Sequence, residues 1–556
     1  MVMKNYLLLL LLTLFFIPVL SYANNYSEVH YTIKLLPNVV IPTIKVEMEI
    51  KGEITDKIIV DLPSHWADGE YAKQIKNIHL VDPASEASLQ KKNDQIIISA
   101  VPKTDSVRIS YEISQKQGNP SDVHEAIIRQ DLIHSPGYGL FATPDLETAE
   151  QIEWSITWEN LPANWSTLSS YGETKALKFI ATAPKFLHAI YVAGQVRMHQ
   201  IADENSPVYL SLYGEFDMRD KDIISSISEI IKSQRSFFND FDFPYYAISL
   251  IEGDKPNSMG GTRLTDSFTA YLPKKMDKVD YYILFAHEHL HNWLGGKIRN
   301  NKEDAALNYW WSEGFTEYYA RVIALRSGGI SLEEFVREYS QLLKDYYLSP
   351  VLNEPNTRIK QDFWNNYNIE KLPYYRGFVF AIYLNHLIVE NGGIHSLDDV
   401  MLDLFKQAKE QDFSADEFKR IVNQYTAKPI NAEFAKFIEQ GATIDLADLI
   451  EELPIEKITT GTYELGFDKE IFIKQDLIKN INENSNAYKA GLRNGDIIPE
   501  GNIPGGYDPA KMVILKTKDK TWEFKPESSD KREIYQFKMN LTPQDKEKIK
   551  EFFDVK

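Results

Sequence analysis

The sequence predicts a multidomain chain in three parts: an all-β amino-terminal domain, a middle domain that is α/β and then helical, and a small β-rich carboxy-terminal domain. Three observations predict it. With 556 residues the chain is too long for one hydrophobic core and long enough for several. Its hydrophobic period is strand-like to about residue 202, largely helical from 203 to 453, and strand-like again from 454 to 545. The middle region also holds one stretch, Tyr281–Ala320, in which two helices would bring two imidazoles and a carboxylate to one point.

Composition bounds the chemistry. Apolar residues make up 43% and charged residues 25%, the balance of a globular protein. The formal charge of −19 argues against nucleic acid and anionic membrane surfaces as partners. There is no cysteine, so there is neither a disulfide nor a thiolate ligand, and any metal site must use nitrogen and oxygen donors. Lys4, the apolar run Tyr6–Leu20 and the small residues Ser21 and Ala23 read as a cleavable secretory signal over residues 1–23. A periplasmic or secreted protein is expected, with no stable membrane insertion after cleavage; an uncleaved anchor is the alternative. No cysteine follows the run to carry a lipid.

From residue 24 to 202, Val29–Leu36, Thr43–Ile54, Lys57–Leu62 and Ser106–Ile113 alternate or run apolar, with turn residues between them. This predicts a β domain, one sandwich with a long excursion, and it carries no recognisable chemistry. The middle domain, 203–453, opens with a predicted helix at Lys221–Asn239. Predicted strands at Tyr245–Glu252 and Gly260–Pro273 follow. A helix over Tyr281–Leu294 is next, with Asp277 as its N-cap and Gly295-Gly296 as its stop. His287 and His291 are four apart and share a face, so both rings can reach one Zn²⁺. Glu288 sits to the side, placed to take a proton from water, and His289 points away.

A catalytic zinc takes three protein ligands and keeps one position open. Asn308–Ser327 reads as the helix that supplies the third, with Glu313 facing the histidines. Glu317, one turn later, can accept the free ring N–H of a ligating histidine. The bland alternative is a buried helix whose histidines are only hydrogen-bonded, and for Glu317 a solvated charge. Capping signals at Ser331/Glu334, Ser396/Asp399 and Ser414/Glu417 open further helices.

His287-Glu288-x-x-His291, a gap, and then Trp311-Ser312-Glu313-Gly314-Phe315-Thr316-Glu317-Tyr318-Tyr319 resembles the gluzincin zinc metallopeptidases. It is similar in particular to the glycyl aminopeptidases, whose members carry a carboxy-terminal PDZ domain. The 21-residue gap Asn292–Ser312 is longer than in the wider aminopeptidase N-like group and shorter than is usual for glycyl aminopeptidases. The resemblance implies a thermolysin-like catalytic domain, with a β domain walling one side of its cleft. It also implies one zinc per chain on His287, His291 and Glu313, with Glu288 as the base. In Leu372-Pro373-Tyr374-Tyr375-Arg376-Gly377, Tyr374 stands three before a glycine and matches the oxyanion donor; Tyr375 is the adjacent rival. The resemblance further assigns Gly260 and Gly261 to a strand whose backbone lines the substrate. It puts a glutamate that holds the substrate's free amine at position 263, where this chain has Arg263. Asp266, three residues on, is expected on the opposite face of that strand.

After residue 454, Ser485–Ile498, with Ala490-Gly491-Leu492 and Gly495-Asp496, resembles the PDZ signature. Leu465-Gly466-Phe467, followed by a predicted apolar strand, would be the loop that grips a peptide's terminal carboxylate. The alternative is a structural cap. Short strands at Lys511–Lys516, Trp522–Pro526 and Glu533–Leu541 and a last helix at Asp545–Lys556 are expected. The functional expectation is a secreted zinc metallopeptidase acting on a peptide or protein. Its rival is a PDZ-type peptide-binding protein with a vestigial site.

Overall fold

The computed structural model describes residues 25–555, apart from 38, 63–70, 84–86, 116–123, 202–205, 244 and 254–258. The segment read as a signal, 1–23, lies outside the described residues. Among those residues no helix is long and apolar enough to cross a membrane.

The amino-terminal region is all β, in two sheets. The first is centred on two long antiparallel strands, Thr43–Asp61 and Gln95–Ser114. Thr43–Ile54 and Lys57–Leu62, expected as two strands, are one, with its register shifted between Ile54 and Lys57 where Asp56 turns to φ 61°. Asn25–Leu35 pairs beside them and buries Val29, Tyr31 and Ile33. The second sheet runs in the order Ser166–Ser169, Ile190–Gly194, Leu132–Pro136, Ile127–Ile128. One of its faces shares the core of the first sheet. The other buries Leu132, Ile190 and Val192 against Ala247, Ile251 and Leu264 of the middle domain.

The middle sheet runs in the order Arg197–Ile201, Val208–Tyr213, Tyr246–Glu252, Ser267–Leu272, Gly260–Leu264. Its first strand precedes residue 202, because a five-residue alternating run reads alike in either sheet. Gly260–Pro273 is not one strand. It is an antiparallel hairpin, Gly260–Leu264 with Ser267–Leu272, and Asp266 adopts φ 43° in the turn. Gly260–Leu264 thus becomes the sheet's edge, beside the helix Lys278–Leu290.

Helices then build the largest core. Ser331 and Ser396 complete the expected capping boxes, while Ser414 caps its helix through the Glu417 N–H. The helix expected to open at Leu372 begins earlier, at Tyr367, capped by the side chain of Asn366. Pro373 lies inside it, at its seventh residue, and so forgoes one backbone hydrogen bond of the second turn.

The carboxy-terminal segment is split between two cores. Leu465, Phe467, Ile478, Leu492, Val513 and Trp522 make a small core of their own. The strands Ile455–Tyr463 and Glu527–Phe537 pair outside it and bury Ile455, Ile534 and Phe537 in the main helical core. The final helix, Pro543–Phe552, does the same with Ile549 and Phe552. Lys469–Gln475 is helical, which overturns the strand expected after Leu465-Gly466-Phe467; Asp468 caps it through the Ile471 N–H.

The small core's loop at Gly506-Tyr507 docks on the helix Leu332–Leu348. Asp345 accepts from the Tyr507 N–H at 2.6 Å and from Gln341 Nε2 at 3.0 Å. Gly506 has φ 75°, and a Cβ there would overlap the Asp345 carboxylate. Burial raises Asp345 to about 7 in spite of those two bonds. The folded chain therefore keeps a proton that the unfolded chain has lost, and stability falls as pH rises from the ordinary carboxylate range to about 7. Asp345→Asn keeps an acceptor and removes the titration. The variant is expected to melt above wild type at about pH 8 and to lose that margin at about pH 4. Thermal melts at both pH values check it, and a pH-independent difference would count against it.

Candidate active site

The helix Lys278–Leu290 starts where expected: the Asp277 side chain accepts from the Val279 N–H. It ends one residue before His291, earlier than the predicted Leu294. On the other side, Glu313 sits at the break between two helical pieces, Tyr309–Ser312 and Gly314–Ser327, where the sequence reading has one helix. The gap between is partly ordered as a 3₁₀ turn, Lys302–Asn308.

Three donor atoms converge. His287 Nε2 and His291 Nε2 are 3.1 Å apart, and Glu313 Oε2 lies 3.5 Å from the first and 3.4 Å from the second. These three residues form the group that could hold a metal ion among the described residues. Each second ring nitrogen faces an oxygen acceptor. His291 Nδ1 donates to Leu294 O at 3.1 Å, and His287 Nδ1 lies 3.1 Å from Glu317 Oε1. When each ring carries a single proton, on Nδ1, two Nε2 lone pairs face one another beside a carboxylate. That arrangement is repulsive on its own and suits a divalent cation with two nitrogen donors and one oxygen donor.

The carboxylates draw positive charge to this point, whether a proton or a cation. Burial alone would lower His287, but Glu317 and Glu313 outweigh it and raise its pKa to about 10. Burial would raise Glu313, but His291 and His287 hold it well below the ordinary range. Glu317 falls to about 2 against its burial, under the pull of Arg321 and His287. Arg321 pairs with Glu317 and extends the chain of charges to Glu338 at 3.6 Å. The sequence reading passed over Arg321, although its spacing of four from Glu317 is the signal of a helical ion pair.

Glu288 is buried, and burial raises its pKa while His287 and His291 oppose the rise. Its carboxylate faces the edge strand: a Cβ on Gly261 would come within 2.6 Å of Glu288 Oε1. Only glycine leaves that approach open, which accounts for Gly261; Gly260 abuts the Tyr271 ring in the same way. His289 turns to the other side, as expected, and donates from Nδ1 to Gln234 Oε1 at 2.7 Å.

Tyr374 stacks over the triad, its ring centroid 6.0 Å from that of His287 at 14°. Burial, then Glu313, Glu370 and Glu288, push its phenol well above 10, so it stays a hydrogen-bond donor. Tyr375 faces Asp345 and Tyr507 instead, its ring 6.0 Å from that of Tyr507. A glycine contact sets this placement. A Cβ on Gly377 would overlap the Trp310 carbonyl, and Gly314, next to Glu313, packs directly on Gly377. The two helices meet backbone to backbone, which brings Tyr374 and Glu313 to the same point. That pairing was not readable from either glycine alone.

His287, Glu288, His291, Glu313, Glu317 and Tyr374 line one cleft of about 770 Å³. Gly260, Gly261 and Arg263 lie along it, as do His124 of the amino-terminal domain and Gly505 and Gly506 of the carboxy-terminal one.

Residues 280–378 match the family model of the M61 glycyl aminopeptidases. Over nearly its whole length the chain shares the fold of an aminopeptidase N family protein from Idiomarina loihiensis. The TM-score is 0.70 at 16% identity, covering 94% of this chain and 100% of that one. An M1 zinc metallopeptidase from Deinococcus radiodurans aligns at a TM-score of 0.47 and 13% identity, over 76% of this chain and 96% of its own. No curated protein matches the chain.

Proposed function

We propose that this protein is a zinc-dependent peptidase that hydrolyses a bond in an extended peptide lying against the strand Gly260–Leu264. The observation that carries the reading is the meeting of His287, His291 and Glu313 with Glu288 and Tyr374 in one cleft beside an unpaired strand edge. The match of residues 280–378 to a peptidase family supports it.

His287, His291 and Glu313 would hold the zinc, which when bound supplies Lewis acidity toward the carbonyl and the attacking water. Glu288 takes the proton from that water and passes it to the leaving amine. Glu317 and the Leu294 carbonyl fix the two imidazoles. Tyr374 donates its O–H to the developing oxyanion. The strand edge offers backbone groups to the substrate, as peptide-binding edges do.

The finer assignments are also ours. Arg263 stands where the resemblance places an amine-holding glutamate, so the anchor for a free amino terminus is replaced. The carboxy-terminal module, PDZ-like at Ser485–Ile498, we read as a cap and cleft wall rather than a peptide binder. The helix Lys469–Gln475 fills the place of a ligand-accepting strand, and Gly505-Gly506 border the cleft. Residues 1–23 direct the chain to the periplasm or the outside, so the mature protein should begin at Asn24.

The deciding experiment is digestion of a mixed peptide library by the zinc-loaded protein, with products read by mass spectrometry. Peptide-bond cleavage that a chelator abolishes is expected; no cleavage by metal-replete protein would overturn the reading. His287→Ala and His291→Ala should each purify without the zinc that wild type carries, as metal analysis will show. Tyr374→Phe should lower kcat on the order of 10²–10³ with KM little changed, whereas Tyr375→Phe should not. Steady-state kinetics on one peptide separates the two.

A further inference from the structure

Among the described residues Gly260–Leu264 pairs with Ser267–Leu272 on one side only, so its other edge can accept a strand. Gly261 faces Glu288 across the cleft. Side chains two apart on a strand share a face and stand roughly 7 Å apart. Arg263 is therefore the first side chain beyond the catalytic point on the face that meets the substrate, and it lines the same cleft.

Its guanidinium is poorly provided for. Among the described residues it makes no hydrogen bond and no ion pair within 4.0 Å, and its Nε is buried with no partner. Only the fields of Tyr246 and Asp266 favour its charge, against burial that pulls its pKa down. Strand alternation, which had placed Asp266 on the far face, does not govern it, because Asp266 lies in the turn beyond the strand. The strand ends at Leu264, and the turn at Asp266 keeps that carboxylate within Arg263's field but short of a salt bridge. Arg263 is half-buried, and a partly desolvated cation without a partner gains from an arriving anion.

We propose that Arg263 is a specificity-determining residue that binds a carboxylate of the peptide within two residues of the scissile bond. This rests on the peptidase reading above. The carboxylate has two possible sources, an aspartate or glutamate side chain and the peptide's own carboxy terminus.

The test uses full-length, zinc-loaded protein and two peptide series. In the first, both ends are blocked, and Glu, Gln or Lys occupies each position near the scissile bond. In the second, no side chain is acidic, and the carboxy terminus is free or amidated. The expected result is a Glu-to-Gln ratio in kcat/KM of roughly tenfold or more, collapsing toward one in Arg263→Gln. In Arg263→Glu the preference should turn toward Lys. If the Arg263-dependent ratio appears in the second series instead, the carboxylate is the terminal one and the proposal stands. Equal cleavage of Glu and Gln peptides with no terminal effect, or a ratio that survives in Arg263→Gln, would overturn it. The same ratio read as Kd on the non-cleaving Glu288→Gln protein guards against a variant with a turnover defect. Failure of wild type to cleave either series sinks the peptidase reading itself, which the library digestion would also reveal.

Discussion

Glu288→Gln should purify with wild-type zinc content and a melting temperature at or above that of wild type, and with kcat lower on the order of 10²–10⁴. The three groups that converge on the metal position are His287, His291 and Glu313, and Glu288 is not among them. An amide in its place fills the same volume but cannot accept a proton from water. Glu288 is also buried with its charge opposed by desolvation, so a neutral amide removes a folding cost instead of adding one. The contrast with His287→Ala is the informative part. That variant should lose metal and activity together, and Glu288→Gln should lose activity alone. Metal analysis, calorimetry and turnover on one peptide give all three readouts. Wild-type turnover by Glu288→Gln would falsify the assignment of the base.

How much of this was legible beforehand differs from one feature to the next, and the reasons are physical. The convergence of His287, His291 and Glu313 and the contact of Glu317 were readable because helical spacing fixes which side chains share a face. The Asp277, Ser331 and Ser396 caps were readable because a capping side chain acts within three residues of itself. What failed was non-local. The hairpin at Thr265-Asp266 hides in a run that reads as one strand, since turn residues there are not glycine or proline. The helix Lys469–Gln475 carries three apolar residues, Ile471, Phe472 and Ile473, that suit a strand equally well, and its capping Asp468 was the overlooked signal. Nothing in the sequence of the last hundred residues shows which of its strands serve which core. That depends on packing against helices more than 100 residues earlier, as when Phe537 N–H donates to Ser340 Oγ at 3.2 Å.

That last point reverses a natural expectation, that ending the chain after Leu453 would leave a folded catalytic domain. Such a truncation should give an unfolded or insoluble protein. It removes eight side chains from the main core: Ile455, Tyr507, Ile534, Tyr535, Phe537, Ile549, Phe552 and Phe553. At roughly 1.5–3 kcal/mol each, their burial is worth on the order of 10–20 kcal/mol, against a net stability of about 5–15 kcal/mol for an ordinary domain. It also cuts the bonds that tie the chain's end to the helices of the site. Arg326 Nε donates to Phe553 O at 2.7 Å, and Asn385 Nδ2 to Phe552 O at 3.2 Å. A different deletion should succeed. Tyr463 and Glu527 are paired across the two strands, so residues 464–526 can be replaced by a short turn that closes a hairpin. That removes the small core as a unit, because its buried members all lie between Leu465 and Phe524. The excised protein should be soluble, cooperatively folded and metal-replete, while the chain ending at 453 should not be. It also loses Gly505, Gly506 and Tyr507 from the cleft and from Asp345. Its kinetics then separate wall from scaffold: a change confined to long peptides marks a wall, and an equal change on short ones marks support of the helix that carries Tyr374.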